Sequence, residues 1–247
     1  MKAIAVFLKK TLMTLAAICS LFACDLDDAP DTLRPSNVLT KYVFPPEIVE
    51  QIFTEDVLEV TGSLEPFLDR IKRNGMKIYD GHNPPVVYNP YSSGELEGVQ
   101  FRVKNDCIYD EKYPSYADST FGDYLDQILI LEKEKDVVEA IISYSSLSND
   151  PKYPDRLDSG NGEGIATGEG DDFTVFYKVE RGQFDKIFYQ GIWIVSGTFT
   201  FGENLQPILS NVSKCLILLE KSSDPDQKMA NVGTIRIFQD PAPIWQD

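Results

Sequence analysis

Alternation of apolar and polar residues recurs along most of the chain after residue 76 and predicts β-strands, because a half-buried strand shows an apolar side chain at every second position. Val99, Phe101 and Val103 alternate with polar residues in this way. Two further runs share the pattern, with the apolar sets Val138, Ala140, Ile142, Tyr144 and Phe173, Val175, Tyr177, Val179. The longest run, residues 187–201, places on one face Ile187, Tyr189, Trp193, Val195, Phe199 and Phe201.

Helical spacing is confined to a short stretch before these strands. Residues 47–58 carry apolar side chains on one side and acids on the other, and Pro46 suits the first turn of a helix. Ser63 is placed to cap a second short helix, which Asn74 and Gly75 would end. We expect these one or two N-terminal helices to cover an open end or an edge of the strand structure.

The absence of helix-length patterns between the later strands predicts a mainly β, antiparallel body. Two architectures fit: an up-and-down barrel of the lipocalin type and a two-sheet β-sandwich. The successive hairpin-like strands of the C-terminal half favour the lipocalin-like barrel, with residues 214–219 and 232–238 as a closing pair. Residues 46–247 are predicted to form this single β-rich domain.

The first 23 residues have the layout of a secretory signal: three lysines, a short apolar run and a small residue before Cys24. The run is shorter than the roughly 20 residues that a spanning helix needs. The sequence Leu21-Phe22-Ala23-Cys24 resembles the lipobox of bacterial lipoproteins. That resemblance implies that residues 1–23 are removed, that Cys24 carries several acyl chains, and that these anchor the protein to a membrane. Residues 24–45 are then a flexible tether.

The start of the mature chain is acidic, with Asp25, Asp27, Asp28 and Asp31. This stretch resembles the acidic segment of surface-exposed lipoproteins of Bacteroidetes-type bacteria. Residues 75–91, 168–175 and 233–240 are similar to segments of uncharacterised β-rich lipoproteins of the same bacteria. The resemblance implies an outer-membrane, surface-exposed location, with a periplasm-facing one as the alternative.

The charge of the chain narrows the range of partners. Its 39 acidic and 23 basic residues give a formal charge of −16, and removal of the lysine-bearing leader makes the remainder more negative. Such a polyanion gains nothing from counterion release on nucleic acid. Anionic headgroups repel it as well, so the protein surface is not expected to adsorb to a membrane. The expected membrane partner is therefore reached through the acyl chains.

Two cysteines remain once Cys19 and Cys24 are assigned to the leader and the lipid. In an exported protein Cys107 and Cys215 form either a disulfide or a pair of buried free thiols, and both alternatives stay open. No cysteine or histidine spacing is typical of a zinc site.

Candidate chemistry is sparse. The single histidine, His82, lies in a turn-like segment without triad or metal partners in its pattern. Residues 149–172 are acidic and glycine-rich, which predicts a polar loop rather than a calcium site, since no EF-hand spacing is present. We predict no catalytic residue, metal or cofactor. Trp193, Tyr79 and Tyr88 are the candidate ligand-binding residues, because aromatic rings stack on sugars or line apolar pockets.

Three functional hypotheses follow. The first is a non-enzymatic, lipid-anchored β-domain of the cell envelope that binds a small ligand, a glycan or a partner protein. The second is a glycan hydrolase that uses two carboxylates. The third is a structural accessory subunit of an outer-membrane complex.

Overall fold

The computed structural model describes residues 41–93, 96–132, 138–147 and 158–245, which belong to one compact unit, Asn37–Asp247. Cys24, the predicted leader and most of the predicted tether lie outside the described residues. The mainly β prediction is confirmed. The strands are β1 His82–Asn83, β2 Val99–Asp110, β3 Ser119–Glu132, β4 Val138–Leu147, β5 Asp158–Glu169, β6 Asp172–Phe184, β7 Ile187–Phe201, β8 Pro207–Lys221, β9 Ile235–Asp240 and β10 Ile244–Trp245.

Eight of these strands form a closed ring. Each strand from β2 to β9 pairs antiparallel with the next, and β9 pairs antiparallel with β2. The short strand β1 runs parallel to β5, and β10 pairs with β8. All ten therefore belong to one continuous sheet, so the alternative of two separate sheets is not what the structure shows.

The alternating apolar residues of the ring strands face its interior. One hydrophobic cluster holds Val99, Phe101 and Val103 of β2 together with both predicted sets of β4 and β6. Five of the six residues predicted for one face of β7 belong to it as well. Phe201 is the exception, 45% exposed at the end of the strand.

Three short helical segments precede the ring. Residues 47–58 do not form one helix: a π-helical turn, Ile48–Ile52, is followed by α1, Glu55–Thr61. The second predicted helix is α2, Leu64–Arg73, which begins directly after Ser63. It ends at Asn74, and Gly75 takes a φ of +102°, a conformation that favours glycine.

These helices pack on the outer face of the ring, so the expectation that they cover an open end or an edge is wrong. A second hydrophobic cluster contains Ile48, Val57, Phe67 and Leu68 of the helical segments. Its other members are outward-facing strand residues: Ile165, Phe176, Ile192, Ile194, Cys215, Ile217, Ile235 and Ile237. Several strands are thus apolar on both faces, and the outer face requires the helical cover.

The final part of the predicted tether is packed on this layer. Tyr42 and Phe44 are buried in the outer cluster, and their rings stack with centroids 5.3 Å apart. Lys41 Nζ lies 2.6 Å from Asp69 Oδ2 of α2. Ordered packing therefore includes residues 41–45. In the part of the chain that the structure describes, no helix has the length and apolar character needed to cross a membrane.

Residues 158–169 of the predicted polar loop form strand β5 instead. Gly160, Gly162 and Gly164 occupy alternate positions on the same face as the buried Ala166. A Cβ at Gly162 would lie 2.2 Å from the carbonyl oxygen of Lys178. Glycine is used here because β6 passes closely over that face, and it leaves no hydropathy signal.

The two remaining cysteines are free, so the disulfide alternative is not realised. Both are buried, but Cys107 belongs to the interior cluster and Cys215 to the outer cluster. They lie on opposite faces of the sheet. Burial raises the pKa of both thiols, which keeps them protonated.

Candidate functional site

An open groove of about 600 Å³ lies on the outer face of the ring beside the helical layer. The π-helical turn contributes Gln51 and Ile52 to it. The rest of the lining comes from three neighbouring strands: Glu139, Ala140 and Ile141 of β4, Asn161 to Ile165 of β5, and Lys178, Glu180 and Arg181 of β6. The groove is therefore the part of the sheet face that the helices leave uncovered.

The groove coincides with a break in strand pairing. Between β5 and β6, Ser159 pairs with Gln183, and the next pair is Gly164 with Tyr177. On the other edge of β6, the register also shifts between Val179 and Gly182, so Glu180 and Arg181 have no partners in either ladder. Such bulges bend a strand and redirect its side chains, and they are frequent next to binding sites.

Close contact between the two strands produces this break. The glycines at positions 162 and 164 let the backbone of β6 approach, since a Cβ at Gly164 would lie 2.2 Å from the carbonyl oxygen of Phe176. Their neighbours Asn161 and Glu163 project from the opposite face of β5 and are exposed. The glycines thus set the position of the polar side chains that line the groove.

Charges of both signs line the groove. Glu139, Glu163 and Glu180 supply carboxylates, while Lys178 and Arg181 supply cations. Lys178 Nζ lies 3.5 Å from Asp56 Oδ2, which connects β6 to the first turn of α1. A hydrogen bond from the Thr54 hydroxyl and the nearby Lys178 lower the pKa of Asp56. This lining suits a polar ligand with both donors and acceptors.

A second polar region lies inside the ring around Asp158. Tyr189 Oη donates to Asp158 Oδ1 at 2.8 Å and Tyr124 Oη donates to Oδ2 at 3.1 Å. Tyr144 Oη contacts Tyr189 Oη, and the Asp158 backbone N–H donates to Ser146 Oγ. Burial raises the pKa of Asp158 to about 6, although the two hydroxyl donors favour the ionised form.

Two ion pairs are buried in the same interior. Lys214 Nζ lies 2.7 Å from Asp126 Oδ2, and both side chains are at most 3% exposed. The ammonium group also lies over the rings of Tyr124 and Trp193. Arg236 pairs with Asp110 of β2. Lys214 and Asp126 join β8 to β3 across the ring, whereas Arg236 and Asp110 join the neighbouring strands β9 and β2.

The three candidate ligand-binding residues are not brought together. Trp193 is 2% exposed in the interior, with its ring centroid 5.4 Å from that of Tyr144. Tyr79 lies in a segment that crosses β6, where its N–H donates to Thr174 Oγ1 at 2.8 Å. Tyr88 is half-buried and follows Val87, which bridges to Ile130 of β3. None of the three lines the groove.

His82 is exposed in β1 beside Gly168. No group of three or more histidine, cysteine or carboxylate side chains among the described residues is placed to hold a metal ion. The lipidation candidate Cys24 lies outside the described residues.

The sequence analysis missed the groove residues. The available signal was the alternation of glycine with polar residues from Gly160 to Gly164, which has the period of a strand. Comparisons of the chain with family models, with curated proteins and with solved structures gave no match.

Proposed function

We propose that this protein is a lipid-anchored, non-enzymatic domain of the bacterial outer membrane that binds a polar ligand in the groove on its outer face. The lipobox ending at Cys24 supports the anchor. The ligand belongs to one of three classes: a small polar molecule, a glycan, or an extended segment of a partner protein.

The observation that carries the proposal is the coincidence of the groove with the break in strand pairing. Glu180 and Arg181, which have no pairing partner in either β-ladder, line the groove. The exposed Asn161 and Glu163 line the same groove. A bulge costs ladder hydrogen bonds, so its position beside a concave polar surface favours a binding role over a purely structural one.

Two glutamates of the groove are compatible with the alternative function, glycan hydrolysis. Glu163 pairs with Ile141 of β4, two positions from Glu139, so both acids lie on the outer face of neighbouring strands. Diagonal positions of this kind have Cα atoms about 7–8 Å apart. A glycan hydrolase also needs two acids on opposite sides of its substrate. The binding function is preferred because one mixed lining of acids, bases and amides explains all the groove residues.

The test uses the full-length protein solubilised from membranes in mild detergent. It is screened against arrays of envelope glycans, peptides and small polar molecules. We expect Glu163→Gln and Arg181→Ala each to weaken binding of the ligand about tenfold, the loss expected when one charged hydrogen-bonding partner is removed. Glu220→Gln is the matched control, because Glu220 is an exposed strand glutamate outside the groove.

Three outcomes would contradict the proposal. Affinity that is unchanged in both groove variants would place the ligand elsewhere. Release of sugar products that Glu163→Gln abolishes would identify a hydrolase. Absence of any ligand, together with stable co-purification of other envelope proteins, would favour the accessory-subunit function.

A further inference from the structure

Among the described residues, most of the large exposed apolar side chains lie at one end of the ring. This end, called here the hairpin end, carries the turn between β7 and β8, residues 202–206. Because consecutive strands are antiparallel, the start of β2 and the end of β3 lie at the same end. Six large apolar residues at this end are between 41% and 68% exposed: Val86, Tyr91, Leu96, Phe201, Leu205 and Trp245.

Several contacts bring four of these residues, Tyr91, Phe201, Leu205 and Trp245, to the β7–β8 hairpin. Tyr91 Oη donates to the carbonyl oxygen of Asn204 at 3.0 Å, next to Leu205 in the turn. Trp245 pairs with Ile208 on the outer face, whereas Phe201 pairs with the neighbouring Pro207, so the two flank the same β7–β8 hairpin from opposite faces of the sheet. A group of exposed aromatic and aliphatic residues around one hairpin is typical of a surface that meets a partner or a membrane.

At the opposite end, fewer of the described residues are large, apolar and exposed. Those residues are Tyr116, Phe188 and Val232, and residues 148–157 lie outside the described part of the chain. Phe188 lies at the start of β7 and is 60% exposed. This difference among the described residues favours contact through the hairpin end.

The described chain begins near the hairpin end. Gly81 N–H donates to the carbonyl oxygen of Val43 at 2.8 Å, and Gly168, at the end of β5, donates to the carbonyl oxygen of Gly81. Val43 is itself 54% exposed. The first described residues after the predicted lipid anchor therefore include a contact beside the hairpin end. Tethering at this end raises its local concentration at the membrane surface.

We propose that the hairpin end lies on the headgroup region of the bilayer, with Trp245 and Tyr91 at the membrane–water interface. This inference rests on the lipid anchor of the proposed function. Tryptophan and tyrosine are enriched at this depth, because an apolar ring with a polar edge fits the boundary between lipid and water. The exposed Glu97 and Glu203 at the same end favour a zwitterionic surface over an anionic one.

Trp245 permits a direct test. It is 54% exposed, whereas Trp193 is buried in the interior, and the chain has two tryptophans. The full-length acylated protein is reconstituted on phosphatidylcholine vesicles whose acyl chains carry bromine, which quenches nearby tryptophans. We expect the Trp245 emission to fall about twofold, as for a ring held at headgroup depth. Leu205→Asp should reduce this quenching, and Trp245→Phe should abolish it.

A tryptophan at the far end is the matched control. Phe188→Trp in the Trp245→Phe background places the probe at an equally exposed strand position, and its emission should not be quenched. Equal quenching of both probes, or none at Trp245 on vesicles that carry the protein, would overturn the inference and leave the anchor intact. A blue shift of Trp245 with protein concentration alone would assign the surface to a second copy of the chain. Failure of the protein to float with the vesicles would instead contradict the lipid anchor.

Discussion

At the scale of single residues, the contribution of Asp158 to stability depends on pH. Burial raises its pKa from 3.8 to about 6 in the folded chain. Below pH 3.8 the Asp158 carboxyl is protonated in both the folded and the unfolded state, so no charge is buried on folding. As the pH rises from about 4 to 6, the unfolded state releases the Asp158 proton first, and the contribution of Asp158 to stability decreases. Above pH 6 the full cost is present, of the order of 3 kcal/mol.

We therefore predict that Asp158→Asn gains stability relative to the native chain as the pH rises from 4 to 7. The amide oxygen accepts a hydrogen bond from one tyrosine hydroxyl, and the amide NH2 donates to the oxygen of the other, without a charge. Urea unfolding at a series of pH values measures the difference, and the exposed Asp118→Asn is the control. Stabilities of Asp158→Asn and the native chain that stay parallel from pH 4 to pH 7 would show that Asp158 is not the responsible group.

At the scale of secondary-structure elements, strand β5 depends on glycine for its contact with β6. A methyl group at Gly162 would meet the backbone oxygen of Lys178, which cannot move without breaking strand pairs. We predict that Gly162→Ala lowers the free energy of unfolding by about 1–3 kcal/mol, as overpacking does elsewhere. Gly202→Ala is the control, because its new methyl meets the Gln206 side chain, and should change stability by less than about 0.5 kcal/mol. Thermal unfolding of both variants tests this, and equal losses would contradict it.

The elements that the sequence predicts well are the strands whose interior positions are apolar and whose outer positions are polar. Val99, Phe101 and Val103 of β2 are of this kind, and all three are buried in the interior. In β7 the outer residues Ile192 and Ile194 are apolar too, which indicates a second buried face. No local pattern says which segment covers that face, so the position of the helices was not predictable.

The candidate site was less predictable for a related reason. Hydropathy identifies strands by apolar side chains, and β5 at the groove has glycines on its inner face and polar residues on its outer face. Lys214 shows the same limit inside the ring: a single lysine in an apolar strand marks a buried ion pair, but its partner Asp126 is distant in sequence. Such contacts depend on strand register, which the pattern of one strand does not determine.

At the scale of the whole molecule, the net charge and the predicted anchor act together. The surface is strongly acidic, so electrostatic attraction does not hold the protein on a membrane. The apolar hairpin end adds a local contact, but stable attachment requires acyl chains, and more than one of them. We therefore expect membrane location to depend on the modification of a single residue.

Cys24→Ala tests this dependence. We predict that the variant loses acyl labelling and no longer accumulates in the outer-membrane fraction, since the hairpin end alone gives only weak, reversible contact. Cys19→Ala is the matched control, because Cys19 belongs to the predicted leader and should leave labelling and location unchanged. Metabolic labelling with a palmitate analogue, followed by membrane fractionation, gives both measurements. Outer-membrane attachment that persists in unlabelled Cys24→Ala would mean that the acidic body is held by a protein partner, and the hairpin end would then be the first surface to examine for that contact.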